Sequence, residues 1–208
     1  MESALEALQH LRDGNRRFAS GLCSVEALAS RNRHELVHRQ APRAVVLGCS
    51  DSRVPVEIVF DQGLGDLFVI RVAGNVVAAS QIGSVEFAAE AFGTRLVVVL
   101  GHTRCGAVQA TLEQLQQPTE KQSPNLRSIV SRIRPAVEAL LETELKHDLD
   151  ALARHAVRAN VRVAANSLRH GSAVLEPRIQ RDALLVVGAE YSVETGVVDF
   201  FDGVPPGA

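Results

Sequence analysis

The chain has 208 residues, enough for one ordinary domain, and 46% of them are hydrophobic, which supplies a normal buried core. Its net charge is -2, and its basic residues are scattered arginines with only Lys121 and Lys146 as lysines, so no electrostatic footprint for nucleic acid or a membrane surface is present. The opening Met1-Glu2-Ser3-Ala4-Leu5 has no basic-then-apolar leader and no apolar stretch is long enough to span a bilayer, so a cytoplasmic location is expected. Residues 3–18 place Ala4, Leu5, Leu8, Leu11 and Phe18 at helical spacing, and Ser20-Gly21 ends this amphipathic first helix. A second, polar helix is predicted over 25–39, and Pro42 breaks it.

Four short runs, apolar on both faces, follow at 44–48, 67–72, 96–100 and 184–188, which is how buried parallel strands read. Helical patterns at 82–92 and 107–115 lie between these runs. A longer helical stretch runs from 126 to 141, kinked near Pro135, and then from 149 to 168, where Gly171 closes it. Residues 196–201 follow the fourth strand after a short turn and are predicted to pair antiparallel at the sheet edge. The expected fold class is therefore α/β: a mostly parallel central sheet of four strands plus an antiparallel C-terminal edge strand, with helices on both faces. Residues 116–124 are too short a linker to separate domains, so 1–208 is read as a single domain.

The chemistry gathers in two turns at strand ends. Gly48-Cys49-Ser50-Asp51-Ser52-Arg53-Val54-Pro55 follows the first strand, and Gly101-His102-Thr103-Arg104-Cys105-Gly106 follows the third. Open α/β sheets bind ligands at these carboxyl ends. Cys49, His102 and Cys105 supply three positions of a tetrahedral zinc site, the fourth falling to water or a nearby carboxylate. Cys105 also opens a helix, where unpaired N–H groups favour a thiolate. Asp51 and Arg53 lie two apart and face the same cavity. Paired to Arg53, Asp51 stays ionised and accepts a proton; released, it is free to close on the metal. Cys23 has no such company and is read as a bystander.

The pair Cys49-Ser50-Asp51-Ser52-Arg53 and Gly101-His102-Thr103-Arg104-Cys105-Gly106, with its spacing, resembles the signature of the bacterial β-class carbonic anhydrases. The similarity continues through 61–69, Arg71, Ala73-Gly74-Asn75 and the opening Gly14-Asn15-Arg16-Arg17-Phe18. The resemblance implies reversible hydration of carbon dioxide to bicarbonate and a proton through zinc-bound hydroxide, with Cys49, His102 and Cys105 on Zn2+ and Asp51 and Arg53 as the catalytic pair. It further implies that Gln40 binds substrate from a partner subunit and that Phe68, Ala73 and Phe87 line an apolar substrate pocket. A homodimer or dimer of dimers is implied, with residues 1–40 as a helical arm on the partner.

Two other readings use the same residues. Relatives of this fold act on carbon disulfide or carbonyl sulfide, and a structural zinc, with Asp51 as fourth ligand, would make the chain an interaction protein. Some family members hold bicarbonate in a second, regulatory pocket walled by a tryptophan three residues before the first cysteine ligand. That position is Val46 here and the chain has no tryptophan, although Arg71 and Tyr191 remain, so an open site is expected.

Overall fold

The structure, a computed structural model, describes residues 2–23, 36–117, 123–181 and 183–207. The predicted helix at 25–39 therefore falls mostly outside the described residues, as does the middle of the 116–124 linker. Helix α1 (Ala4–Ala19) begins where Ser3 accepts from the Glu6 amide and Glu6 answers the Ser3 amide, a reciprocal cap that satisfies two otherwise orphaned donors. It buries Ala7, Leu8, Leu11, Gly14 and Asn15, whereas Leu5, read from the sequence as part of the core face, is 48% exposed. Gly14 turns the face: a Cβ there would lie 1.8 Å from the Phe60 carbonyl oxygen, so the bare backbone sets the closest approach.

The sheet comprises β1 (Ala44–Gly48), β2 (Leu67–Arg71), β3 (Leu96–His102), β4 (Leu185–Tyr191) and β5 (Val198–Asp202) in the order β2-β1-β3-β4-β5. The first four are mutually parallel and β5 pairs antiparallel to β4 at the edge. Two strands outrun their aliphatic sequence: β3 reaches His102 and β4 reaches Tyr191, because the ladder pairs Gly101 with Glu190 and His102 with Tyr191.

Alternation along the strands divides the core. Val46, Val98, Leu100, Val187 and Ala189 face α1 and the short helix α2 (Val56–Val59). Val45, Leu47, Val97, Val99 and Val186 face α3 (Ala79–Ala91), α6 (Leu149–His170) and α7 (Leu175–Gln180). Each fully buried Leu or Val contributes about 1.5–3 kcal/mol over exposure, and both faces are covered, as parallel sheets require.

A third cluster sits beyond the carboxyl ends of the strands. There Cys49 and Cys105 pack with Val108 and Leu112 of α4 (Gly106–Gln116), Ile133 and Val137 of α5 (Pro124–Val137), and Leu152, Ala156 and Val157 of α6. Pro135 lies inside α5 and the helix proper stops two residues later. The predicted continuation to 141 is instead a 3-10 turn, Glu138–Glu142.

Candidate metal centre

Cys49 directly follows β1, His102 ends β3, and Cys105 is the N-cap of α4. One ligand atom from each lies within 4.8 Å of the others, and all three residues are buried, His102 completely. The imidazole Nδ1 lies 2.9 Å from its donor-seeking neighbour, the Thr103 carbonyl, which places the proton on Nδ1 and leaves the Nε2 lone pair on the thiol side. Nε2 is buried and has no hydrogen-bond partner. A buried polar atom without a partner is costly, and two sulfurs beside it form a donor set suited to a soft-tolerant divalent cation. The residues fit zinc on these grounds.

The two thiols interact with each other. The hydrogen bond from Cys105 holds the Cys49 thiol well below the ordinary cysteine range, against burial and with help from His102 and the Asp51 and Gly74 amides. Cys105 is pushed up by the same bond and by burial, although the Ala107 and Val108 amides oppose this.

Asp51 stands at the mouth. Arg53 Nε and Nη2 donate to its two carboxylate oxygens at 2.9 and 2.8 Å, and the Arg53 amide donates at 3.0 Å. This bidentate pairing with Arg53 keeps the carboxyl well below the usual carboxylate range. Arg71, at the end of β2, ties down the backbone between ligand and acid: its Nε donates to the Cys49 carbonyl at 2.9 Å and its Nη2 to the Asp51 carbonyl at 2.6 Å.

Two supports were not legible in the sequence. Glu194 accepts from the Thr103 hydroxyl and from Arg104 Nε, each at 2.6 Å, and so clamps the turn between His102 and Cys105. Arg104 there adopts a φ of 56°, and its carbonyl accepts from Arg53 Nη2 at 3.1 Å. Asn160 of α6 donates to the Gly74 carbonyl at 2.8 Å. Both partners lie more than eighty positions away in sequence, and no local pattern announces them.

Of the remaining candidates, Ala73 lies in the turn that reaches Cys49, and Gln40, Phe68 and Phe87 lie on other segments. Gln40 is exposed just before β1. Phe68 and Phe87 pack on each other and on Phe92, with ring centroids 5.6–6.1 Å apart, and Phe87 remains 55% exposed. Ala73 is half-buried and precedes Gly74, whose amide reaches Cys49. Cys23 hydrogen-bonds Asp61 away from the trio, and burial raises its thiol to about 11.

An open α/β sheet with a buried two-thiol, one-imidazole group at its strand ends, beside a paired acid and arginine, defines a class of enzyme whose chemistry is built on strand-end loops. The carbonic anhydrase family model matches residues 44–198. The carbonic anhydrase of Mycolicibacterium smegmatis is 38% identical over 193 residues, covering 93% of this chain and 91% of that one. The β-carbonic anhydrase CafA of Aspergillus fumigatus superposes with a TM-score of 0.73 at 30% identity, over 92% of this chain and 89% of its own. At 22% identity the fold is shared with a tetrameric β-carbonic anhydrase of Sordaria macrospora, with a TM-score of 0.72 over 81% and 85% of the chains. The chain belongs to the carbonic anhydrase family, in its β-class, and is an enzyme of that kind.

Proposed function

We propose that the enzyme catalyses the zinc-dependent, reversible hydration of carbon dioxide to bicarbonate and a proton, with the metal on Cys49, His102 and Cys105. The observation that carries this reading is the partnerless His102 Nε2 buried against two thiols, with the Oδ2 of Asp51 3.9 Å away. When bound, zinc supplies the Lewis acidity that makes water a nucleophile near neutral pH, as in carbonic anhydrases generally. Asp51, kept ionised by Arg53, would serve as the hydrogen-bond acceptor beside the position that the metal would take. Arg53 holds Asp51 in that pose and is itself held by the Arg104 carbonyl. Arg71 keeps the Cys49–Asp51 backbone from shifting as charge changes.

The working unit in this reading is a symmetric dimer or dimer of dimers, with residues 1–40 as an arm on the partner. Gln40 then reaches substrate across the interface, and Phe68, Ala73 and Phe87 line its apolar side. The exposure of Gln40, Leu5 and Phe87 in the single chain supports such a surface. Among the described residues no helix is long and apolar enough to cross a membrane. The free state of all three cysteines suits the reducing cytoplasm in which we place the enzyme.

The test is stopped-flow hydration of carbon dioxide by metal-replete and chelated protein. Metal-dependent turnover is expected. Zinc-dependent release of hydrogen sulfide from carbon disulfide or carbonyl sulfide, without hydration, would move the substrate to the sulfur analogues. Zinc without exchangeable water would make the metal structural. With Val46 in place of an indole wall, an open coordination shell is expected near neutral pH, with rates that fall without cooperativity as bicarbonate rises.

A further inference from the structure

The turn Ala73–Asn75 lies between Cys49 and α6, and it reaches the sulfur with backbone alone: the Gly74 amide donates to Cys49 Sγ at 3.3 Å. Two successive residues of this turn are left-handed, Gly74 with a φ of 68° and Asn75 with a φ of 44°. Such a pair persists only where its surroundings over-determine it. Part of the constraint is local, since the Asn75 amide donates back to the Val72 carbonyl at 3.0 Å. The rest comes from α6, where Asn160 Nδ2 donates to the Gly74 carbonyl at 2.8 Å.

Asn160 is 2% exposed and sits on a helix face otherwise made of Ala156, Val157, Val161 and Ala164. An amide at such a position is unfavourable unless its hydrogen bond is made, and packing alone would be served by an aliphatic side chain. We propose that Asn160 is a positioning residue for the metal centre: by holding the Gly74 carbonyl it keeps the Gly74 N–H aimed at Cys49 Sγ and so sets the charge on that sulfur. The inference rests on the metal reading above. An N–H donor draws charge from a thiolate, so less passes to the cation, which remains the stronger Lewis acid. Without Asn160 the Gly74 carbonyl is buried and unpaired, the turn reopens to find another donor, and the amide leaves the sulfur.

The experiment compares the full chain with Asn160→Ala, Asn160→Gln and Leu168→Ala, loaded with Co2+ for absorption spectroscopy and with Zn2+ for kinetics. Leu168 is fully buried on the same helix, in the cluster away from the thiols, and its truncation destabilises without touching the turn. Asn160→Ala is expected to retain its cobalt, to move the sulfur-to-cobalt charge-transfer band to longer wavelength and to lose about tenfold in kcat at unchanged KM. Asn160→Gln, which keeps an amide donor, should recover part of both effects, and Leu168→Ala should show neither. A band and kcat in Asn160→Ala equal to those of Leu168→Ala overturn the proposal. Absence of any thiolate band in the unsubstituted chain overturns the metal reading instead. Should Asn160→Ala not fold, hydrogen exchange of the unsubstituted metal-loaded protein decides: a slowly exchanging Gly74 amide is expected, and exchange at open-loop rates overturns the role.

Discussion

Asp51 Oδ2 lies 2.8 Å from Arg53 Nη2 and 3.9 Å from His102 Nε2, so one carboxylate oxygen stands between its guanidinium and the atom that faces the metal position. The Arg53 bonds hold it in the first role. Arg53→Ala removes the two guanidinium bonds and leaves the Asp51 carboxylate, held only by the residue-53 amide, free to turn toward the cation site. The variant is expected to keep its zinc, to lose about 100-fold in carbon dioxide hydration, and to gain an oxygen ligand from Asp51 in X-ray absorption. Zinc retained with an unchanged shell and full activity would show that the pair is a surface ion pair without function.

Cys105→Ser replaces a thiolate with a hydroxyl that stays protonated and binds zinc poorly. Zinc per chain, measured by elemental analysis after dialysis, should fall from near unity to a small fraction. Cys23→Ser, remote from the trio and bonded to Asp61, should leave it unchanged. Equal loss in both would reassign the ligands.

Gly74→Ala combines strain with collision. The φ of 68° disfavours any side chain, and the new Cβ would lie 2.8 Å from Ile133 Cδ1 and 3.1 Å from Ala107 Cβ. A loss of about 1–3 kcal/mol is expected from urea unfolding of the apoprotein. Gly83, whose Cβ would meet nothing within 4 Å, is the matched control, and Gly83→Ala in the middle of α3 should stabilise by about 0.5–1 kcal/mol.

Glu194 is lowered from 4.5 to about 2 by the Thr103 hydroxyl and then by Arg104. A carboxylate whose folded value is depressed contributes stability above its unfolded value and loses it as pH falls toward the folded one. The difference in unfolding midpoint between the protein and Glu194→Gln should therefore be constant above about pH 4.5 and shrink between 4.5 and 2. Because the side chain is 45% exposed and solvent screens it, the difference should be small and should narrow further in high salt. A gap that widens with acid would refute the linkage.

Local chemistry was legible wherever a residue's role depends on its own neighbours in the chain. Leu8 and Leu11 marked α1 because their helical spacing sets them on one face, which the core then buries. The aliphatic runs become β1 to β4 because only the interior of a sheet hides both faces of such a segment. Cys49, His102 and Cys105 could be read together because strand-end turns of a parallel sheet must converge on one edge.

Tertiary structure decided what depends on partners far along the chain. Periodicity put Leu5 inward, yet α1 rolls onto Gly14 and Asn15, where Phe60 approaches bare backbone and the Asn15 amide bridges the Val59 and Gly196 carbonyls. An apolar count cannot register a face chosen by close approach and polar bonding. The lengths of β3 and β4 were set by the partner ladder rather than by their own composition. Asn160 and Glu194 are ordinary polar residues in sequence; they come to hold the turns beside Cys49, His102 and Cys105 only because α6 and the turn after β4 pack over the strand ends. A hydrogen bond's energy depends on a partner's position to within tenths of an ångström, and that position exists only once the sheet has assembled.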